Sequence, residues 1–247
     1  MPMQPLSLRG KIAVVTGGGS GIGKAIAFGL VSQGATVCLV GRDQSKIESA
    51  RDQLAATNPS VESYVCDLDR DQDILDLHRR IARVHDRVDI LVHCAGTISF
   101  GSIESLSIDQ LDRQYRINAR APVLLTQGLL PLIKKAQGQI VFVNSSVGLH
   151  AKEEVGAYAA SKHALRAIAD TLRMEINAHG VRVLSVYPGN TATSMQEAVQ
   201  DYTGRRIASE YLLQPGDVAS MVIHALQLPR TAEVTDIHIR PFRKSSA

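Results

Sequence analysis

Six apolar, β-branched runs punctuate the chain, at Ile12–Val15, Thr36–Val40, Ser63–Val65, Ile90–Val92, Ile140–Val143 and Val181–Val186. Most are apolar throughout instead of alternating, as in strands buried on both faces of a sheet. Amphipathic stretches fill the intervals at Gly21–Gln33, Asp43–Ala56, Arg70–His85, Ile108–Lys135 and Ala157–His179. A further helix at Asp217–Leu228 precedes an expected seventh strand at Glu233–Ile239. Parallel strands need long crossover connections, so this alternation implies an α/β fold: one doubly wound parallel sheet of about seven strands, with helices on both faces. No linker or repeat breaks the pattern, and a single domain over residues 1–247 is expected. The less regular segment 189–213 is a candidate substrate lid.

Composition removes several classes of function. The formal charge is only +3, from 27 basic against 24 acidic residues, too small and too dispersed for a nucleic-acid partner. The densest basic cluster, Arg240-Pro-Phe-Arg-Lys244, reads as a solvated tail. No apolar run approaches the roughly 18 residues of a membrane helix, and MPMQPLSLRGK lacks the apolar core of a signal peptide. The cytoplasm is the expected compartment, with no membrane partner. The three cysteines, Cys38, Cys66 and Cys94, form no CxxC pair and read as buried, unreactive thiols. No His/Cys/Asp set has metal-ligand spacing, so no metal is expected.

The first strand runs into Thr16-Gly-Gly-Gly-Ser-Gly-Ile-Gly23, and a helix follows. Glycines there let backbone N–H groups approach a phosphate, and the helix N-terminus adds its partial positive charge. In that strand–turn–helix setting the turn is a pyrophosphate cradle of Rossmann type. Gly18–Lys24 also matches the start of a P-loop, but Ala25 occupies the place of the magnesium-binding hydroxyl. The second strand ends in Gly41-Arg42, where NAD-binding folds usually carry an acidic residue. Gly41 presents no carboxylate to repel a 2′-phosphate, and Arg42 can pair with one, so NADP(H) is favoured over NAD(H). The other reading is that Arg42 only caps a loop and either cofactor is accepted. Asp67, after the third strand, is placed either to accept the adenine amino group or to cap a helix.

Tyr158 and Lys162 lie four residues apart on a predicted helix and share one face. An ammonium beside a phenol favours phenolate, so a lowered tyrosine pKa is expected. Ser145 ends a buried strand thirteen residues before Tyr158, and Asn118 lies within the long helix Ile108–Lys135.

Together these features resemble the short-chain dehydrogenase/reductase family over nearly the whole chain. The matching residues are Thr16 to Gly23, Asp67-Leu68, Ala95-Gly96, Asn118, Ser145, Tyr158-Ala-Ala-Ser-Lys162, and Pro188-Gly189 with Thr193. The resemblance implies an oxidoreductase passing hydride between nicotinamide and a carbonyl or secondary alcohol. Tyr158 would be general acid or base, Ser145 would hold the substrate oxygen (with Ser146 as the alternative), and Lys162 would bind the nicotinamide ribose. Asn118 would hold a water linking Lys162 to solvent. The implied cofactor contacts are Gly17, Gly19, Ser20, Gly21, Ile22, Gly23, Arg42, Asp67, Leu68, Ala95, Gly96, Asn118, Tyr158, Lys162, Pro188, Gly189, Thr191 and Thr193, with Thr193 bonding the carboxamide. A homodimer or homotetramer built on the long helix and the Tyr158 helix is also implied.

The chain departs from the family where His93-Cys94 stands in place of a pair of asparagines. His93 is read as a satisfied strand-end histidine. Tyr187 either faces the substrate or packs at its strand end, and Lys152 either recognises an anionic group or is solvated. The rival function is a non-catalytic dinucleotide sensor or scaffold.

Overall fold

The computed structural model describes residues 6–243, so Lys244 of the basic cluster and residues 1–5 of the N-terminal segment lie outside it. Seven strands form one sheet: β1 (Ile12–Thr16), β2 (Thr36–Gly41), β3 (Val61–Val65), β4 (Ile90–His93), β5 (Gln139–Val143), β6 (Arg182–Pro188) and β7 (Asp236–Ile239). Their order is β3-β2-β1-β4-β5-β6-β7, and every pairing is parallel. The helices are α1 (Gly21–Ser32), α2 (Gln44–Ala55), α3 (Asp71–Val84), α4 (Ile108–Tyr115), α5 (Ala121–Ala136), α6 (Gly156–Ile176), α7 (Ser194–Thr203) and α8 (Pro215–Leu226).

Strand alternation divides the core between two layers. Ala13 and Val15 of β1 face Ile26 and Leu30 of α1, Ile47 and Leu54 of α2 and Val222 of α8. Val14, one residue out of phase, faces the layer of Ile74 and Leu77 (α3), Leu125 and Leu129 (α5) and Leu165 (α6). Both faces of the strands are therefore buried, which is why the runs are continuously apolar. The chain reverses its winding direction between β1 and β4. At such a switch point the crossovers to either side diverge and leave a crevice at the carboxyl ends of the strands.

Three features differ from the sequence-based expectation. The single helix expected over Ile108–Lys135 is interrupted by a π-turn at Arg116–Arg120, and Asn118 sits within it. A π-turn keeps the apolar 3.6-residue pattern on either side, so periodicity alone does not show it. The irregular segment 189–213 contains α7, capped by Thr193, whose side chain accepts from Gln196 N. At the edges, β3 starts earlier than expected, at Val61, and β7 later, at Asp236. No described helix is long and apolar enough to cross a membrane.

Candidate active site

The crevice at the switch point is a cavity of about 610 Å³. The turn after β1 forms its floor. Gly17 has φ +68°, and a Cβ there would stand 2.9 Å from Ala95 N, so the β1 and β4 loops meet backbone to backbone. A Cβ on Gly23 would collide with the Gly17 carbonyl. The N-cap of α1 is Ser20, which makes no side-chain cap bond, and the first turn holds no acidic residue. The leading N–H groups of α1 thus face the cavity without an internal partner, the arrangement that receives a phosphate. Gly17, Gly19, Ser20, Gly21, Ile22 and Gly23 all line this floor.

At the far end of the floor a Cβ on Gly41 would come 2.8 Å from the Ile47 side chain, so a larger residue there would have to displace Ile47. Arg42 is exposed on the cavity wall and takes part in no ion pair among the described residues. Lys46, not foreseen from sequence, lines the same wall, 3.7 Å from the N-capping Asp43. Asp67 and Leu68, which follow the neighbouring strand β3, also line the cavity. Asp67 does not cap α3, whose N-cap is Arg70. Its carboxylate accepts from Asp69 N at 3.1 Å, so the capping alternative fails because the helix starts later.

The inner end gathers the polar residues. Ser145 follows β5 in extended backbone, and its hydroxyl accepts from Val147 N at 3.2 Å. Gly148 lies against the Asn144 side chain, where any Cβ would clash, and this accounts for the Ser-x-x-Gly pattern. Asn144, buried behind Ser145, donates to Lys162 O at 3.1 Å and accepts from Ser145 N at 2.9 Å, joining β5 to α6. Tyr158 and Lys162 project from α6 and are 6% and 3% exposed. Lys162 Nζ donates to Val143 O at 3.1 Å and stands 5.8 Å from the Tyr158 ring centroid.

The surroundings of Tyr158 act against the expected lowering of its pKa. Burial raises Tyr158 to about 12, only partly opposed by the hydrogen bond of Ser145. Lys162 does not offset this, because its amine is turned to the Val143 carbonyl and is itself lowered to about 8 by burial. Low-dielectric surroundings disfavour both charged forms, and neither group compensates the other.

Asn118 lies in the π-turn facing the β4 loop. Its side chain forms a clamp: Nδ2 donates to Thr97 O (2.9 Å) and Ser161 Oγ (3.0 Å), and Oδ1 accepts from Thr97 N (2.8 Å). The π-turn thereby fixes the β4 loop, including Ala95 and Gly96, against α6. A Cβ at Gly96 would lie 3.3 Å from Asn118 Oδ1 and 3.7 Å from Lys162 Nζ. Oδ1 carries a second lone pair, so this clamp and the expected water contact are compatible.

Pro188, Gly189, Thr191 and Thr193 form the wall after β6. Thr191 Oγ1 donates to Gly189 O at 2.9 Å, and the Thr193 methyl abuts Gly21, where a Cβ would stand 3.1 Å away. Tyr187 takes the packing alternative: it is 1% exposed, stacks edge-on with His238, and does not line the cavity. His93 is buried, 2.8 Å from Thr126 Oγ1 through Nε2 and stacked on Phe142, and burial lowers it to about 3. Burial also raises all three cysteine thiols. The outer rim was only partly foreseen. Phe100 stacks on Tyr202 of α7 at 4.6 Å, and Gly101 N donates to the carbonyl of Glu154, which has φ +60°. These contacts join the loops after β4 and β5 to α7 around the cavity mouth, and Lys152 lies on the same rim.

A family profile described as short chain dehydrogenase matches residues 11–203. The chain is 33% identical over 248 aligned residues to a glycine betaine reductase of Emericella nidulans, covering 98% of the chain but only 19% of that much longer protein. It is 31% identical to an uncharacterised oxidoreductase of Staphylococcus aureus, covering 95% of the chain and 98% of the relative. Among solved structures, a metagenomic short-chain oxidoreductase in complex with NADP superposes with a TM-score of 0.83 at 30% identity, covering 96% of this chain and all of that one. With the profile spanning most of the sheet and the cavity, the chain belongs to the short-chain dehydrogenase/reductase family of oxidoreductases.

Proposed function

We infer that this oxidoreductase uses NADP(H) to interconvert a carbonyl compound and the corresponding secondary alcohol. The observation that carries the reading is the convergence of Ser145, Tyr158 and Lys162 at the inner end of one cavity whose floor is a glycine-lined, uncapped helix N-terminus. The floor fits a dinucleotide pyrophosphate, and the Gly41–Arg42–Lys46 wall fits a 2′-phosphate better than a bare ribose. The NADP complex of the metagenomic relative supports the same choice. When bound, the nicotinamide supplies or accepts the hydride.

The chain's own residues handle the oxygen. Ser145 donates a hydrogen bond to the substrate oxygen, and Tyr158 gives it a proton in reduction or removes one in oxidation. A buried phenol held near 12 is a poor base by itself, so in oxidation its ionisation depends on positive charge brought close to it. Lys162 supplies that charge on turning from Val143 O toward the ribose and the phenol. Asn118, through its clamp on Thr97 and Ser161, positions the β4 loop and α6 relative to each other. Segment 189–213, with α7 and the Phe100–Tyr202 stack, acts as the substrate lid.

The remaining expectations stand as part of the same proposal: one catalytic domain over residues 1–247, a cytoplasmic location, and a homodimer or homotetramer through α4, α5 and α6. The last is supported by exposed Ile108, Tyr115 and Met174 on those helices.

The test is Tyr158→Phe beside the unaltered protein, with NADPH and NADH titrated into both and carbonyl turnover followed by nicotinamide absorbance. Turnover should fall by at least about a thousandfold, within the range for loss of a general acid, while NADPH affinity stays within about twofold. NADPH should bind roughly ten- to hundredfold more tightly than NADH, the worth of one charge-assisted contact. Full activity in the variant would transfer the proton role elsewhere, and tighter NADH binding would overturn the reading of Arg42.

A further inference from the structure

At the opposite end of the sheet edge, away from the cavity, the fold assembles three side chains that linear spacing does not connect. Cys38 of β2 and Glu62 of β3 are direct cross-strand partners. His85, the C-cap of α3, folds over them. The three are 23, 24 and 47 residues apart in sequence, which is why no ligand spacing is visible in the chain. Their donor atoms form a near-equilateral triangle: Cys38 Sγ to His85 Nε2 is 3.5 Å, Cys38 Sγ to Glu62 Oε2 is 3.7 Å, and His85 Nε2 to Glu62 Oε2 is 3.2 Å.

That triangle has the size of one face of a tetrahedral zinc site. Zn–S of about 2.3 Å and Zn–N and Zn–O of about 2.0–2.2 Å, at tetrahedral angles, separate neighbouring ligand atoms by roughly 3.3–3.6 Å. We propose that Cys38, Glu62 and His85 hold a single Zn²⁺ ion, with water as the fourth ligand, pinning edge strand β3 to β2 and to the end of α3.

Three further observations fit a cation there. The Tyr64 hydroxyl donates to the same Glu62 oxygen at 2.6 Å and fixes the carboxylate from outside the ligand set, as outer partners of metal ligands do. The site abuts the C-terminus of the 14-residue helix α3, whose partial negative charge favours a cation. The Glu62 side chain is 34% exposed, leaving an entry path, while His85 is 9% exposed. Burial and the Glu62 carboxylate favour the protonated Cys38 thiol, and a bound dication displaces that proton to solvent on coordination. None of the three residues lines the cavity, so the proposal is independent of the NADP(H) reading.

The experiment strips the purified protein with a chelator, loads one equivalent of Zn²⁺ or Co²⁺, and measures retained metal beside Cys38→Ala and His85→Gln. The expected result is about one Zn²⁺ per chain. Each variant should lose affinity by at least roughly tenfold, since even outer-partner losses reach that size. The Co²⁺ form of the unaltered chain should show a thiolate-to-metal charge-transfer band and tetrahedral d–d bands. An unchanged far-UV circular dichroism spectrum and a cooperative thermal transition would show the variants folded. No retained zinc, zinc retained equally by all three chains, or a Co²⁺ spectrum without the thiolate band would each overturn the proposal. If neither variant folds, the Co²⁺ spectrum of the unaltered chain decides alone.

Discussion

Lys162 holds an amine at 3% exposure with the Val143 carbonyl as its one hydrogen-bond acceptor among the described residues. Its folded pKa of about 8 lies below the ordinary lysine value of 10.5, so between these values the unfolded chain binds more protons. Stability therefore rises with pH across that window, and below about pH 8 the fold bears the full penalty of a buried charge. Lys162→Met should remove the penalty. At pH 7 we expect a gain on the order of 1–2 kcal/mol, after allowing for the lost partner of Val143 O, together with near-complete loss of turnover. The gain should shrink toward pH 10. Urea unfolding at pH 7 and at pH 10 measures both, and a variant less stable at pH 7 would show that this lysine is structural. The i, i+4 spacing placed Tyr158 and Lys162 on one face, as found. Spacing could not show that burial would raise the phenol, because desolvation depends on everything packed around the pair.

The glycine turn and the π-turn carry the site at the scale of elements, and they differ in how far each can be read from sequence. The turn is visible in the chain because glycine adopts φ +68° at Gly17 without strain and alone permits the close approach of Ala95 N. Gly17→Ala should lower NADPH affinity by at least about tenfold and destabilise the fold by about 1–3 kcal/mol, the range for an L-residue held in that region with a backbone contact to relieve. Fluorescence titration and thermal unfolding test both, and unchanged affinity would mean that the cradle tolerates a displaced β4 loop. The π-turn around Asn118 has no such signature. Within it Asn118 reaches Thr97 and Ser161 at once, contacts set by two other elements. Likewise α7 in segment 189–213 takes its place from the Thr193 cap and from Tyr202 stacking on Phe100.

At the scale of the whole molecule, the two apolar layers leave Ile108 and Tyr115 of α4 and Met174 of α6 uncovered. If these helices form the proposed dimer face, light scattering at micromolar concentration should give at least twice the 26.7 kDa chain mass, and Met174→Glu should shift it toward monomer, since an unpaired charge in an interface core is disfavoured. A monomer in the unaltered protein would remove the proposal. By itself the sequence determined the alternation of strand and helix, hence the parallel sheet, and the local chemistry of the Gly17–Gly23 turn and the Tyr158–Lys162 pair. These follow from short-range periodicity and from backbone conformations open only to particular residues. The tertiary structure alone decided which way Lys162 turns, that Asn118 serves as a clamp, that Tyr187 is packed away from the cavity, and that Cys38, Glu62 and His85 meet. Each of those outcomes depends on contacts between segments far apart in the chain, set by sheet order and register.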